Sequence, residues 1–135
     1  MQTAKTFVLV TLLAAGLACG GYNSKSTPIT PPAAGTKPNI GALVPASATA
    51  GSSLGTNGLM ATGTNFNSNA TINWNGTALT TTFVSTTQLT ATVPDADTAS
   101  AGTAAVTVTN PGIPGGIYGG GTSPETSNSM TFTIN

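Results

Sequence analysis

Val106-Thr107-Val108-Thr109-Asn110-Pro111 is the stretch whose reading decides the fold. Valine and threonine alternate, and the alternation reaches back to Ala104. A two-residue period puts the valines on one face and the threonines on the other, which describes a half-buried strand and not a helix. β-branched residues suit that pleated surface. Pro111 closes the run because it has no N–H to donate to a ladder.

The same pattern appears on both sides of this stretch. Met130, Phe132 and Ile134 alternate with Thr131 and Thr133, and Leu89, Ala91 and Val93 alternate with Thr90 and Thr92 before Pro94. Ala70, Ile72 and Trp74 share one face of a further run, and Asn75-Gly76 after it suits a two-residue hairpin loop. Ile40 to Val44, Leu59 to Thr62, Thr77 to Thr80 and Thr82 to Ser85, with Phe83 at its centre, complete the set. Short strands bounded by turn residues, each with one apolar and one wet face, predict an all-β, antiparallel β-sandwich of about seven strands. Trp74 falls on the core face by its alternation with Ile72.

Composition agrees with this reading. Only 4% of the 135 residues are charged. Helices usually carry Lys, Glu, Arg and Gln on their outer faces, and those residues are nearly absent. From Pro38 to Asn135 there is no Lys, Arg or His, and the acids are Asp95, Asp97 and Glu125. A domain without cations has nothing with which to neutralise phosphates, so nucleic acid is not an expected partner.

Several short motifs occur in a fixed order: Gly63-Thr64-Asn65-Phe66, Asn75-Gly76-Thr77, Leu89 to Pro94, Ala101-Gly102-Thr103, Val106 to Pro111 and Phe132-Thr133-Ile134. With Ile40 to Pro45 as a first strand, the series resembles an IPT/TIG domain over essentially all of residues 38–135. The resemblance implies an immunoglobulin-like sandwich, of a kind found in cell-surface receptors, in transcription factors and as modules of secreted carbohydrate-active enzymes. Gly63, Gly76 and Gly102 fall where turns need a positive φ or a close backbone approach. One departure is the long stretch from Pro111 to Glu125, whose glycines at 115, 116, 119, 120 and 121 read as a flexible loop.

The first eighteen residues carry Lys5 and then an apolar run from Phe7 to Ala18. The run is about a dozen residues, short of the ~20 a spanning helix needs, and it fits a secretory signal over residues 1–18. Gly16-Leu17-Ala18-Cys19 resembles a bacterial lipobox, although the leucine usual three positions before the cysteine is here Gly16. The resemblance implies acylation of Cys19, the sole cysteine, and anchoring in a membrane without a spanning segment. Gly20 after the cysteine favours the outer membrane or cell surface over the inner membrane. Residues 19–37 then read as a lipidated cysteine with a disordered tether rich in Pro, Ser and Thr, spanning roughly 25 Å as a coil and about 55 Å when extended. The alternative is that part of it packs as an extra edge strand.

Candidate chemistry is sparse. Asp95 and Asp97 stand two apart, but calcium wants six to eight oxygen ligands and no third acid is near in sequence. Glu125 with either aspartate would be a carboxylate pair of the glycosidase type, supported only by their existence. Histidine-dependent triads and zinc sites lack their histidine. Asn69-Ala70-Thr71 and Asn75-Gly76-Thr77 match glycosylation sequons that a Thr-rich chain produces by chance. Tyr118, flanked by glycine, is the one loop aromatic placed to contact a ligand. The expectation is therefore a non-catalytic, monomeric binding module with no cofactor and no metal, displayed at the envelope and meeting an envelope protein or polysaccharide. A purely structural spacer and an accessory fragment of a carbohydrate-active enzyme are the alternatives.

Overall fold

A computed structural model of the chain describes residues 33–116 and 119–135. The stretch read as a signal, Cys19, the stretch read as a tether as far as Pro32, and Tyr118 lie outside the described residues. The strands in chain order are β1 (Ala33–Ala34), β2 (Asn39–Val44), β3 (Ser47–Ala48), β4 (Leu59–Thr64), β5 (Thr71–Trp74) and β6 (Thr77–Ala78). They continue with β7 (Thr80–Ser85), β8 (Gln88–Thr92), β9 (Gly102–Asn110), β10 (Thr122–Ser123), β11 (Glu125–Thr126) and β12 (Met130–Ile134). One 3-10 turn, Asp95–Thr98, links β8 to β9. Among the described residues no helix is long and apolar enough to cross a membrane.

Two sheets form the sandwich. One runs β2-β4-β8-β7, with every neighbouring pair antiparallel. The other runs β3-β12-β9-β5-β6, antiparallel except for β3 beside β12, and β11 also pairs with β9. β2 and β3 are consecutive yet belong to different sheets, so the chain changes sheets around Pro45-Ala46. The deciding strand, β9, lies at the middle of its sheet. It pairs Val106 with both Trp74 and Met130, and its apolar face is wholly buried.

The core forms between the inner faces. Leu59, Ala61, Leu89 and Ala91 come from one sheet, and Ile72, Trp74, Val106, Val108 and Phe132 from the other. Trp74 packs on Phe132 with ring centroids 5.0 Å apart and planes at 53°, a tilted arrangement that aromatic quadrupoles favour. Burying each large apolar side chain contributes about 1.5–3 kcal/mol against the entropy of ordering the chain.

Two sequence expectations meet local irregularity. In β2 the inward residues are Ile40 and Leu43, three apart, because the register shifts between Ile40 and Ala42. The extra residue, Gly41, turns the following side chains over and leaves Val44 half exposed. In β7 a second shift follows Phe83, which lies opposite buried Leu89 on the inner face but, being on the edge strand, keeps 36% of its surface exposed. Asn75 and Gly76 do form the tight turn, with φ of 49° and 85°. Gly102 does not have the role expected of it: it lies in β9 with open space around it and no positive φ.

Candidate functional site

The end of the sandwich where β9 reaches Asn110 gathers three connections that are distant in sequence. They are residues 65–70 between β4 and β5, the Thr86-Thr87 turn between β7 and β8, and residues 111–121 between β9 and β10. Buried Asn110 ties them together. Its Nδ2 donates to the Asn65 carbonyl at 2.7 Å and to the Thr36 carbonyl at 2.8 Å, and its Oδ1 accepts from the Asn67 N–H at 3.1 Å. The Phe66 N–H donates to the Thr86 carbonyl at 2.9 Å. One buried amide thus organises the end of a domain that has no disulfide.

The described parts of the segment read as a flexible loop, residues 111–116 and 119–121, carry internal hydrogen bonds. The Thr122 N–H donates to the Ile113 carbonyl at 2.8 Å, the Ile113 N–H to Thr122 Oγ1 at 3.0 Å, and the Gly119 N–H to the Gly116 carbonyl at 2.9 Å. The close-packed glycine here is Gly121, which is buried against Gly115 so tightly that a Cβ would collide with the Gly115 backbone. β10 then pairs in parallel with β1, Ala33 opposite Thr122 and Ala34 opposite Ser123. The last part of the tether is therefore an edge strand of the domain.

Between the 65–70 connection, the outer edge at Phe83 and the start of the 111–121 segment runs a groove of about 640 Å³. Phe83 and Ile113 present apolar surface to it, with Ile113 61% exposed, and Asn67, Ser68, Asn69 and Thr86 supply amides and hydroxyls. No charged residue lines it. A smaller hollow of about 500 Å³ lies over the β2 bulge, lined by Asn39, Gly41, Thr62 and Gln88 among others. It has no exposed large apolar side chain.

The acids are not brought together. Glu125 stands opposite Asn110 at the groove end of β9. Asp95 and Asp97 are exposed in the 3-10 turn at the other end, where the Thr98 carbonyl accepts from the Gly51 N–H and the Ala50 N–H donates to Asn135, next to Ile134 opposite Gly102. At ~3.3 Å per residue the nine residues of β9 hold the two ends about 26 Å apart. A glycosidase pair needs roughly 5–9.5 Å, so Glu125 and the aspartates cannot act as one. Among the described residues no three His, Cys, Asp or Glu side chains cluster as metal ligands.

Trp74 is core, 3% exposed. Tyr118 and Cys19 cannot be placed, because they lie outside the described residues. Phe83 and Asn110 are the site residues that sequence reasoning missed. A signal existed for each: Phe83 sits beside Val84 in a run with no two-residue period, and Asn110 is an inward-phase position, two residues beyond Val108, filled by an amide.

Comparison with known proteins gives one match. The family model for the IPT/TIG domain matches residues 38–134. No curated protein and no solved structure matches the chain.

Proposed function

Because the chain belongs to the IPT/TIG domain family, whose members are non-catalytic immunoglobulin-like modules often engaged in interactions, we propose that this protein is a contact module of the cell envelope and that its loop-bearing end is the contact surface. The observation that carries the reading is the groove beside Phe83 and Ile113. Large apolar side chains left in water beside uncommitted polar groups mark interaction surfaces.

Export and a lipid anchor at Cys19 are part of this proposal, and their support is the N-terminal sequence pattern. The chain enters the domain at the groove end, where Asn110 holds Thr36 and β1 joins β10. An anchor at Cys19 would therefore keep the groove within reach of the envelope. The thirteen residues from 20 to 32 allow at most about 47 Å. Tyr118, in the same 111–121 segment, is proposed as a further contact residue for an envelope protein or polysaccharide.

The test is cosedimentation of the purified full chain with envelope fractions. Ile113→Asp places a charge in the groove at a 61% exposed position outside the core and should abolish retention. Retention equal to the unaltered chain would refute the site.

One observation favours a structural spacer as the second reading. The entering chain and Asn135 lie at opposite ends of the sandwich, as modules strung in line require. On that reading the groove substitution leaves envelope function intact, and only loss of the whole domain disturbs it.

A further inference from the structure

We propose that the groove takes a neutral glycan chain. This rests on the reading of the loop end as the contact surface and narrows it to one class of ligand.

Charge is the first ground. Lys37 is the one cation among the described residues, and neither it nor any acid lines the groove. An anionic polysaccharide or an acidic peptide would lose its hydration there without a compensating partner. A neutral ligand meets no such penalty.

The second ground is how the amides are used. Asn57, Asn65, Asn73, Asn75, Asn110 and Asn128 all spend their side chains on bonds within the protein. The side chains of Asn67, Ser68 and Asn69 make no hydrogen bond to another described residue, and all three line the groove. A primary amide offers a donor and an acceptor side by side, which matches two adjacent sugar hydroxyls. In the same lining, Phe83 and Ile113 offer apolar surface to the C–H face of a pyranose ring.

Third, the walls are fixed before any ligand arrives. Bonds from Phe66 to Thr86, from Asn67 to Asn110 and between Ile113 and Thr122 hold the three segments. A preorganised site spends little of its binding energy on ordering itself.

An extended peptide is the rival occupant, and it would bind by adding a strand to β7. The register shift at Val84 breaks the regular row of N–H and C=O groups just where the groove begins. Such bulges are devices that block strand addition.

The test uses the full chain in detergent, labelled with nitrogen-15, and titrates cellohexaose, xylohexaose, chitohexaose and maltohexaose. An oligogalacturonate and an uncharged extended hexapeptide serve as the rival probes. Saturable binding of at least one neutral glycan is expected, with shifts in the side-chain amide signals of Asn67 and Asn69. The affinity should not change with added salt, because no ion pair is formed. Asn69→Ala, at an exposed position, should fold normally and weaken binding about tenfold, the loss of one well-made hydrogen bond. Binding of the oligogalacturonate or the peptide alone, or of none of the probes, overturns the proposal. If none binds while Ile113→Asp still abolishes retention on envelopes, the glycan class falls and the contact surface stands. If Ile113→Asp is also without effect, both fall.

Discussion

Replacing Asn110 by alanine removes three hydrogen bonds at once. The Asn65 and Thr36 carbonyls lose their donor and the Asn67 N–H loses its acceptor. At about 0.5–1.5 kcal/mol per bond the loss is about 3 kcal/mol. Leaving groups wholly unsatisfied would raise it, but Thr36 and Asn65 are exposed residues that water can reach, so a range of about 2–4 kcal/mol is expected. For a domain of this size that corresponds to a fall in Tm of about 10–25 °C. Trp74 supplies the readout, since it is buried against Phe132 and reports the core and not the groove. Asn110→Asp sharpens the test. It keeps an oxygen for the Asn67 N–H but sets the other oxygen against two carbonyls, so at neutral pH it should destabilise at least as much as alanine. Burial beside two carbonyl oxygens disfavours the charged carboxylate, so its pKa in the folded state is expected above the unfolded value. The stability it retains is therefore present below the unfolded pKa and is lost as pH rises through the folded one, so this variant gains stability on acidification. A melting point for Asn110→Ala within about 3 °C of the unaltered chain would refute the clamp.

Phe132→Ala empties the space under Trp74 and should lower stability by about 3–5 kcal/mol, measured by urea unfolding. That is a large part of the roughly 5–15 kcal/mol a domain has. Gly63→Ala sets a Cβ against the Asn39 carbonyl oxygen of the paired strand and should cost about 1–3 kcal/mol in the same assay. Cys19→Ser should move the chain from the membrane to the soluble fraction on cell fractionation, and unchanged partitioning would remove the lipid anchor from the account.

The strands whose apolar residues keep a strict two-residue period were legible, because each contacts the core through one face. β5, β8, β9 and β12 are of this kind, and so is the Asn75-Gly76 turn, whose two positive φ angles call for those residue types. What was not legible depends on bonds between residues distant in sequence. Asn128 grips Ile40 through both its N–H and its carbonyl across 88 residues, and Asn110 reaches Thr36 across 74. Such side-chain to backbone bonds leave no periodic trace. The Gly41 bulge inverts half of β2 for the same reason, since it is set by the partner strand. The groove was hidden more deeply. Its lining comes from three separated segments, carries no charge, and includes a Phe83 whose partial exposure is a fact of the sheet edge and not of the local pattern.

The central claim is that the loop-bearing end touches the envelope, and it is tested most directly by site-specific photocrosslinking in intact cells. A photoreactive amino acid would replace Ile113 in the groove, Thr131 on the outer face of β12, or Ala99 beside the 3-10 turn. Adducts to an envelope component are expected from position 113 and not from the other two. Adducts from 131 or 99 with none from 113 would contradict the account.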